Sequence, residues 1–112
     1  MHSKAVRAAL SDIKDNIELA RSFVAGADFA RFKDDLKTFY ATTRCLEIIS
    51  EASRRLPVDV KARHPGIEWQ RIAGAGNVYR HEYDNVAQQR VWTTLHEALP
   101  ALLTVVDQEL DA

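Results

Sequence analysis

Six apolar residues near the start of the chain limit its fold more than any other feature. Val6, Leu10, Ile13, Ile17, Ala20 and Val24 recur with a strict 4-3-4-3-4 spacing. That spacing lays one narrow apolar seam along a helix, as helical bundles use to pack against each other. The spacing predicts a first helix from Ser3 to Ala25. Gly26 fits its stop and Asp28 a cap for the next element. A short turn, Asp28 to Asp35, then leads into a second long helix, Leu36 to Arg55. Its buried stripe is predicted to hold Leu36, Phe39, Leu46, Ile49 and Leu56, with Thr43 and Ser53 alongside. Leu56-Pro57 ends it, because the residue before proline avoids helical geometry. A short helix from Pro57 to Arg63, with proline in its first turn, and a His64-Pro65-Gly66 turn follow.

A third long helix is predicted from Glu68 to Tyr83 and a last one from Ala87 to Leu110. Val91, Leu95, Leu99, Leu102 and Val106 form the core face of the last helix, and Pro100 should kink or restart it. With four glycines and three prolines the chain has little material for a turn-rich β fold. The expected architecture is all-α: an up-and-down four-helix bundle with short additional helical turns, one domain over residues 1–112.

Polar chemistry concentrates in Gly74-Ala75-Gly76-Asn77-Val78-Tyr79-Arg80-His81-Glu82-Tyr83. Read as a helix, the segment has a core seam of Trp69, Ile72, Gly76, Tyr79, Tyr83 and Val86. Asn77 and His81 lie one turn apart on roughly the opposite side, with Arg80 about 100° around from His81. An amide, a cation and an imidazole on an outward face suit anion or phosphate chemistry; they also suit an ordinary hydrated surface. The formal charge is −1 overall, but residues 54–90 hold seven Lys/Arg against four Asp/Glu. Gly74 and Gly76 each weaken a helix by roughly 1 kcal/mol relative to alanine, which points to close packing or to room for a phosphate. Glu51 suits either orientation of a site group or a surface ion pair.

Several classes are excluded. Single Cys45 cannot form an intrachain disulfide and reads as a buried thiol. His64, His81 and His96 lack metal-ligand spacing, and no phosphate-cradling glycine loop or nucleophile elbow is present, so neither a metal nor a cofactor is expected. No signal peptide and no membrane-spanning run is visible, and a cytoplasmic chain is the expectation. Trp92 reads as a core or interface anchor and His96 as a partly exposed helix residue.

From Leu46 to Leu103 the sequence resembles the HepT-like branch of the HEPN superfamily. The resemblance rests on Leu46-Glu47-Ile48-Ile49-Ser50-Glu51-Ala52, Arg55-Leu56-Pro57, His64-Pro65, Trp69, Ile72-Ala73-Gly74, Gly76-Asn77, His81-Glu82-Tyr83, Val86, Val91-Trp92 and Leu99-Pro100. It implies a helical homodimer acting as a metal-independent endoribonuclease toxin of a type VII-like toxin–antitoxin pair. It also implies neutralisation by a minimal nucleotidyltransferase antitoxin (MntA-like). The family signature is an arginine, a polar residue and a histidine four to six residues on. Asn77 and His81 fit the last two, while Gly76 stands where the arginine is expected; Arg80, one turn along, is the substitute cation. The implied roles are His81 as base, Arg80 on the phosphate, Asn77 holding phosphate or imidazole, and Tyr83 as the tyrosine that receives adenylate. The alternative is a non-catalytic HEPN dimer that binds a nucleotidyltransferase or a nucleotide, with cleavage lost at Gly76.

Overall fold

The computed structural model describes residues 2–77 and 85–112, Asn85 by its backbone alone. Helix α1 spans Lys4–Val24, and Ser3 caps it by accepting the Val6 N–H. Leu10, Ile13, Ile17, Ala20 and Val24 are all buried, as the seam predicts, and Val6 packs at the margin of the same core. Gly26 takes a φ of 77°, the left-handed geometry that ends the helix at little cost for glycine. Asp28 then caps α2 (Phe29–Asp34), and Asp35 caps α3 (Leu36–Arg54), each through a carboxylate accepting a backbone N–H.

The α3 stripe buries Phe39, Thr43, Leu46, Ile49, Ser53 and Leu56. Leu36 departs from the prediction and is 48% exposed. It opens the helix at the end where α2 is the neighbour, and there Phe32 of α2 packs against Phe39 instead (centroids 6.1 Å apart). Cys45 is buried as expected, and its burial pushes the thiol pKa up. Pro57 is the N-cap of α4 (Val58–Ala62) rather than part of its first turn. The Trp69 indole N–H donates to the carbonyls of Lys61 and His64, which fixes the start of α5 (Trp69–Gly74).

The last predicted helix is divided. Helix α6 covers Asn85–Thr93, a π-helical turn covers Thr94–Ala98, and α7 covers Leu99–Asp111. In the π turn the Leu99 N–H bonds to the Thr94 carbonyl, and Pro100 follows directly. The interruption falls where the proline predicts one. Val91, Leu95, Leu99, Leu102 and Val106 remain buried across it. Trp92 is an intramolecular anchor, its ring centroid 6.0 Å from Phe29 and 5.2 Å from Phe32, while His96 is exposed. The Gln88 amide donates to the Lys33 carbonyl and ties α6 to α2. Val86, expected on the core seam, is 52% exposed. The described residues form an all-α bundle around one core, and among them no helix is long and apolar enough to cross a membrane.

Helix α7 returns along α1. Lys14 pairs with Asp107 at 2.9 Å, and Arg7 donates to the Leu110 carbonyl. The same junction holds Glu109, whose side chain is 7% exposed. Arg63 donates to both carboxylate oxygens, at 2.8 and 3.2 Å, and His64 and His2 bond to it at 2.6 and 2.8 Å. The Arg63 hydrogen bond, helped by those from His64 and His2, outweighs burial and lowers the carboxyl pKa to about 2. A lowered acid pKa stabilises the fold above the ordinary value of 4.5 and loses that stability as pH falls from there towards 2. Glu109→Gln should therefore cost about 2 kcal/mol near neutral pH, the scale of hydrogen bonds to a charged group. It should also flatten the acid limb of the melting-temperature profile between pH 5 and 2, checked by calorimetry across that range; a limb as steep as the parent's would remove Glu109 as its cause.

Candidate functional site

The site is organised by a helix that stops early. A continuous helix over residues 68–83 would bond the Gly76 N–H to the Ile72 carbonyl. Instead the Ser50 hydroxyl of α3 stands between them. It accepts the Gly76 N–H at 2.7 Å and donates to the Ile72 carbonyl at 2.8 Å. A side chain inserted into the ladder interrupts the helix, and Ala75–Asn77 tightens into a 3-10 turn. The predicted helix is thus corrected: it holds over Trp69–Gly74 and ends there, because a serine on another helix satisfies its backbone.

Gly76 is buried in this contact. A Cβ at that position would lie 2.9 Å from the Glu47 Cα, 3.1 Å from the Ser50 Oγ and 3.2 Å from the Ser50 Cβ. The first contact is with backbone and cannot swing aside. Packing therefore explains the glycine where the resemblance expects arginine. Arg54 adds a second tie, donating to the Ala73 carbonyl.

Beyond this contact lies a cleft of about 320 Å³, bounded on the α3 side by Arg44, Glu47, Ile48, Ser50, Glu51, Arg54 and Arg55, and on the other by Gly76 and Asn77. Two of its arginines are engaged. Arg54 holds the Ala73 carbonyl, and Arg55 pairs with Asp12 at 3.0 Å and Glu51 at 3.6 Å. Glu51 thus follows the ion-pair alternative. Arg44 is held least: its Glu47 partner is 4.0 Å away and its side chain is 70% exposed. The exposed amide of Asn77 completes the opposite wall. Arg44 and the Asn77 amide bring hydrogen-bond donors that suit a phosphate, in a cleft that the carboxylates of Glu47 and Glu51 also line.

Of the predicted site residues, Asn77 borders this cleft. Arg80, His81 and Tyr83 lie outside the described residues, as does Tyr79 of the predicted seam. Ser50, Arg44 and Arg54 carry no site role in the sequence reading: Arg54 reads as a helix-end cation that complements the dipole, and Ser50 only as part of the resemblance. Ser50 offered one signal: a hydroxyl one helical turn from Leu46, next to an apolar stripe, requires a buried partner. Among the described residues no group of three or more His, Cys, Asp or Glu could hold a metal ion.

The family model described as Ribonuclease HepT-like matches residues 13–109. The chain belongs to the HepT-like ribonuclease family. It is 40% identical over 93 residues to the "Probable ribonuclease HepT" of Thermococcus cleftensis, covering 83% of this chain and 84% of that one. A protein of Caldanaerobacter subterraneus subsp. tengcongensis, also named as an RNase, is 33% identical over 99 residues, covering 88% of each chain. A Methanocaldococcus jannaschii protein named in the same way is 29% identical over 102 residues, 91% of this chain and 88% of its own. No solved structure matches the chain. The HepT-like match reaches well beyond Leu46–Leu103, into the α1 seam and almost to the end of α7.

Proposed function

We propose that this HepT-like chain is a metal-independent endoribonuclease, acting in the cytoplasm as the toxin of a type VII-like toxin–antitoxin pair. The observation that carries the reading is the family match over residues 13–109, with relatives named as ribonucleases along most of their length. The arginine-lined cleft beside Asn77 supports it with a place for one phosphate of the RNA backbone.

Cleavage needs no group beyond the chain and its substrate. His81 takes the proton from a ribose 2′-hydroxyl, and the 2′-oxygen attacks the adjacent phosphorus. The bond to the 5′-oxygen breaks, and that oxygen leaves with a proton taken from water. The products are a 2′,3′-cyclic phosphate and a 5′-hydroxyl. Arg80 stabilises the charge that gathers on the phosphorane, and Asn77 hydrogen-bonds phosphate or imidazole. The working unit is a homodimer. A minimal nucleotidyltransferase antitoxin transfers adenylate from ATP to the Tyr83 hydroxyl, with pyrophosphate as the leaving group, and phosphate placed two residues from His81 fills and repels the substrate site.

The test is incubation of purified chain with single-stranded RNA in EDTA, with the new ends identified chemically. Cyclic phosphate and 5′-hydroxyl ends are expected. Cleavage that requires added divalent metal, or that leaves 3′-hydroxyl ends, would overturn the mechanism. One observation favours a second reading: Gly76 is fixed by packing at the position of the expected arginine. A folded dimer that binds a nucleotidyltransferase or a nucleotide and cuts no RNA would establish that non-catalytic alternative.

A further inference from the structure

A second concavity lies on the other side of the same turn. Gly76 and Asn77 border the polar cleft; Gly74 and Ala75, the residues just before them, border an open groove of about 540 Å³ between α5 and α6. Its character is different. Gly74, Ala75 and the exposed Val86 give it an apolar surface, Gln89 brings an amide, and Arg71 and Arg90 bring two cations. Among the described residues no carboxylate lines it, and neither guanidinium is ion-paired.

The glycine at 74 distinguishes this groove. Unlike Gly76, it has no packing reason among the described residues: a Cβ there would meet none of their atoms within 4 Å. Gly74 is the last residue of α5, and neither packing nor a positive φ requires glycine there. What it leaves is open space facing the groove.

The geometry points to a nucleobase subsite in this groove: it takes the base of a nucleotide beside the phosphate held in the Asn77 cleft, in single-stranded RNA. The inference rests on the ribonuclease reading and names where that substrate's base sits. The volume suits a ligand of this size. The charge complements a polyanion, and guanidinium planes stack on bases while apolar residues cover their faces. An amide offers both a donor and an acceptor to a base edge. Consecutive residues of one turn wall both concavities, so a strand that crosses the turn meets both.

The test uses a fluorescent single-stranded oligonucleotide of 2′-O-methyl RNA, which binds but lacks the attacking hydroxyl, and a series in which one position at a time is abasic. Affinity is read by anisotropy. For the parent chain, an abasic position is expected to weaken binding about 10-fold at one register, the scale of a lost base contact. Gly74→Leu should fill the groove, weaken binding by a similar factor and erase the abasic penalty. Gly74→Ala serves as the fold control and should melt at or above the parent temperature. If Gly74→Leu does not fold, the Arg71→Ala/Arg90→Ala pair decides: the abasic penalty should shrink and the salt dependence of binding become shallower. An abasic penalty that persists unchanged in the folded variants would overturn the subsite while leaving the ribonuclease reading intact. Loss of self-association in Gly74→Leu with RNA binding unchanged would assign the groove to a second copy and overturn it equally. A parent chain that neither binds nor cuts RNA would sink the function itself.

Discussion

Gly76→Arg is expected to destabilise the fold by about 3 kcal/mol, the upper part of the usual overpacking range, and to leave RNA cleavage no faster than in the parent. The Cβ alone would stand 2.9 Å from the Glu47 Cα, so α3 or the turn must move before any guanidinium is placed. Moving the turn strains the two Ser50 hydrogen bonds and displaces Asn77 from the cleft wall. At a few degrees of melting temperature per kcal/mol for a domain of this size, the midpoint should fall by roughly 10–20 °C. Thermal or urea unfolding measures it. Ser50→Gly removes two of the three short contacts but also both hydrogen bonds. Alone it should destabilise by about 1–3 kcal/mol; combined with Gly76→Arg it should cost less than the sum, a coupling of about 1 kcal/mol or more. A Gly76→Arg chain that melts with the parent and cuts RNA faster would show that the turn accepts the arginine, contrary to this geometry.

His81→Ala should lower cleavage about 10²- to 10⁴-fold, the usual worth of a positioned base, with the melting temperature little changed. The loss should appear in single-turnover rates at saturating RNA, because the proton transfer belongs to the chemical step and not to binding. The rate profile should also lose the limb that a titrating histidine imposes near neutral pH. Affinity for the non-cleavable oligonucleotide should stay within a few-fold of the parent. A variant that cuts at the parent rate would remove His81 as the base while leaving the chain a ribonuclease.

The long packing surfaces were legible because they depend on local spacing. The α1 seam, the cores of α3 and α6–α7, the Asp28 cap and the Gly26 stop all follow from residues within one or two turns of each other. The family resemblance was legible over Leu46–Leu103, and the match extends it to residues 13–109. What failed was long-range. The end of α5 depends on Ser50, whose partners are 22 and 26 residues away. Periodicity through Gly76 could not register a hydroxyl from another helix. Val86 fitted the seam only while the helix was taken as unbroken. The carboxylate of Glu109 meets His2 across 107 residues, and no pattern within either segment announces the other. Leu36 has the right phase for burial but stands at an end of the bundle, where phase alone does not supply a neighbour.

The π-helical turn at Thr94–Ala98 also sets the direction in which α6 faces. A π turn holds one residue more than the corresponding α turn, so the helix takes up an extra residue there without breaking. Removing one residue there would restore regular geometry and rotate α6 by about 100° relative to α7. Either the buried Val91 or the groove-facing Arg90 would then lose its present direction. A one-residue change at this point thus re-aims the α6 wall of the groove while keeping the α7 core, without any substitution inside the groove.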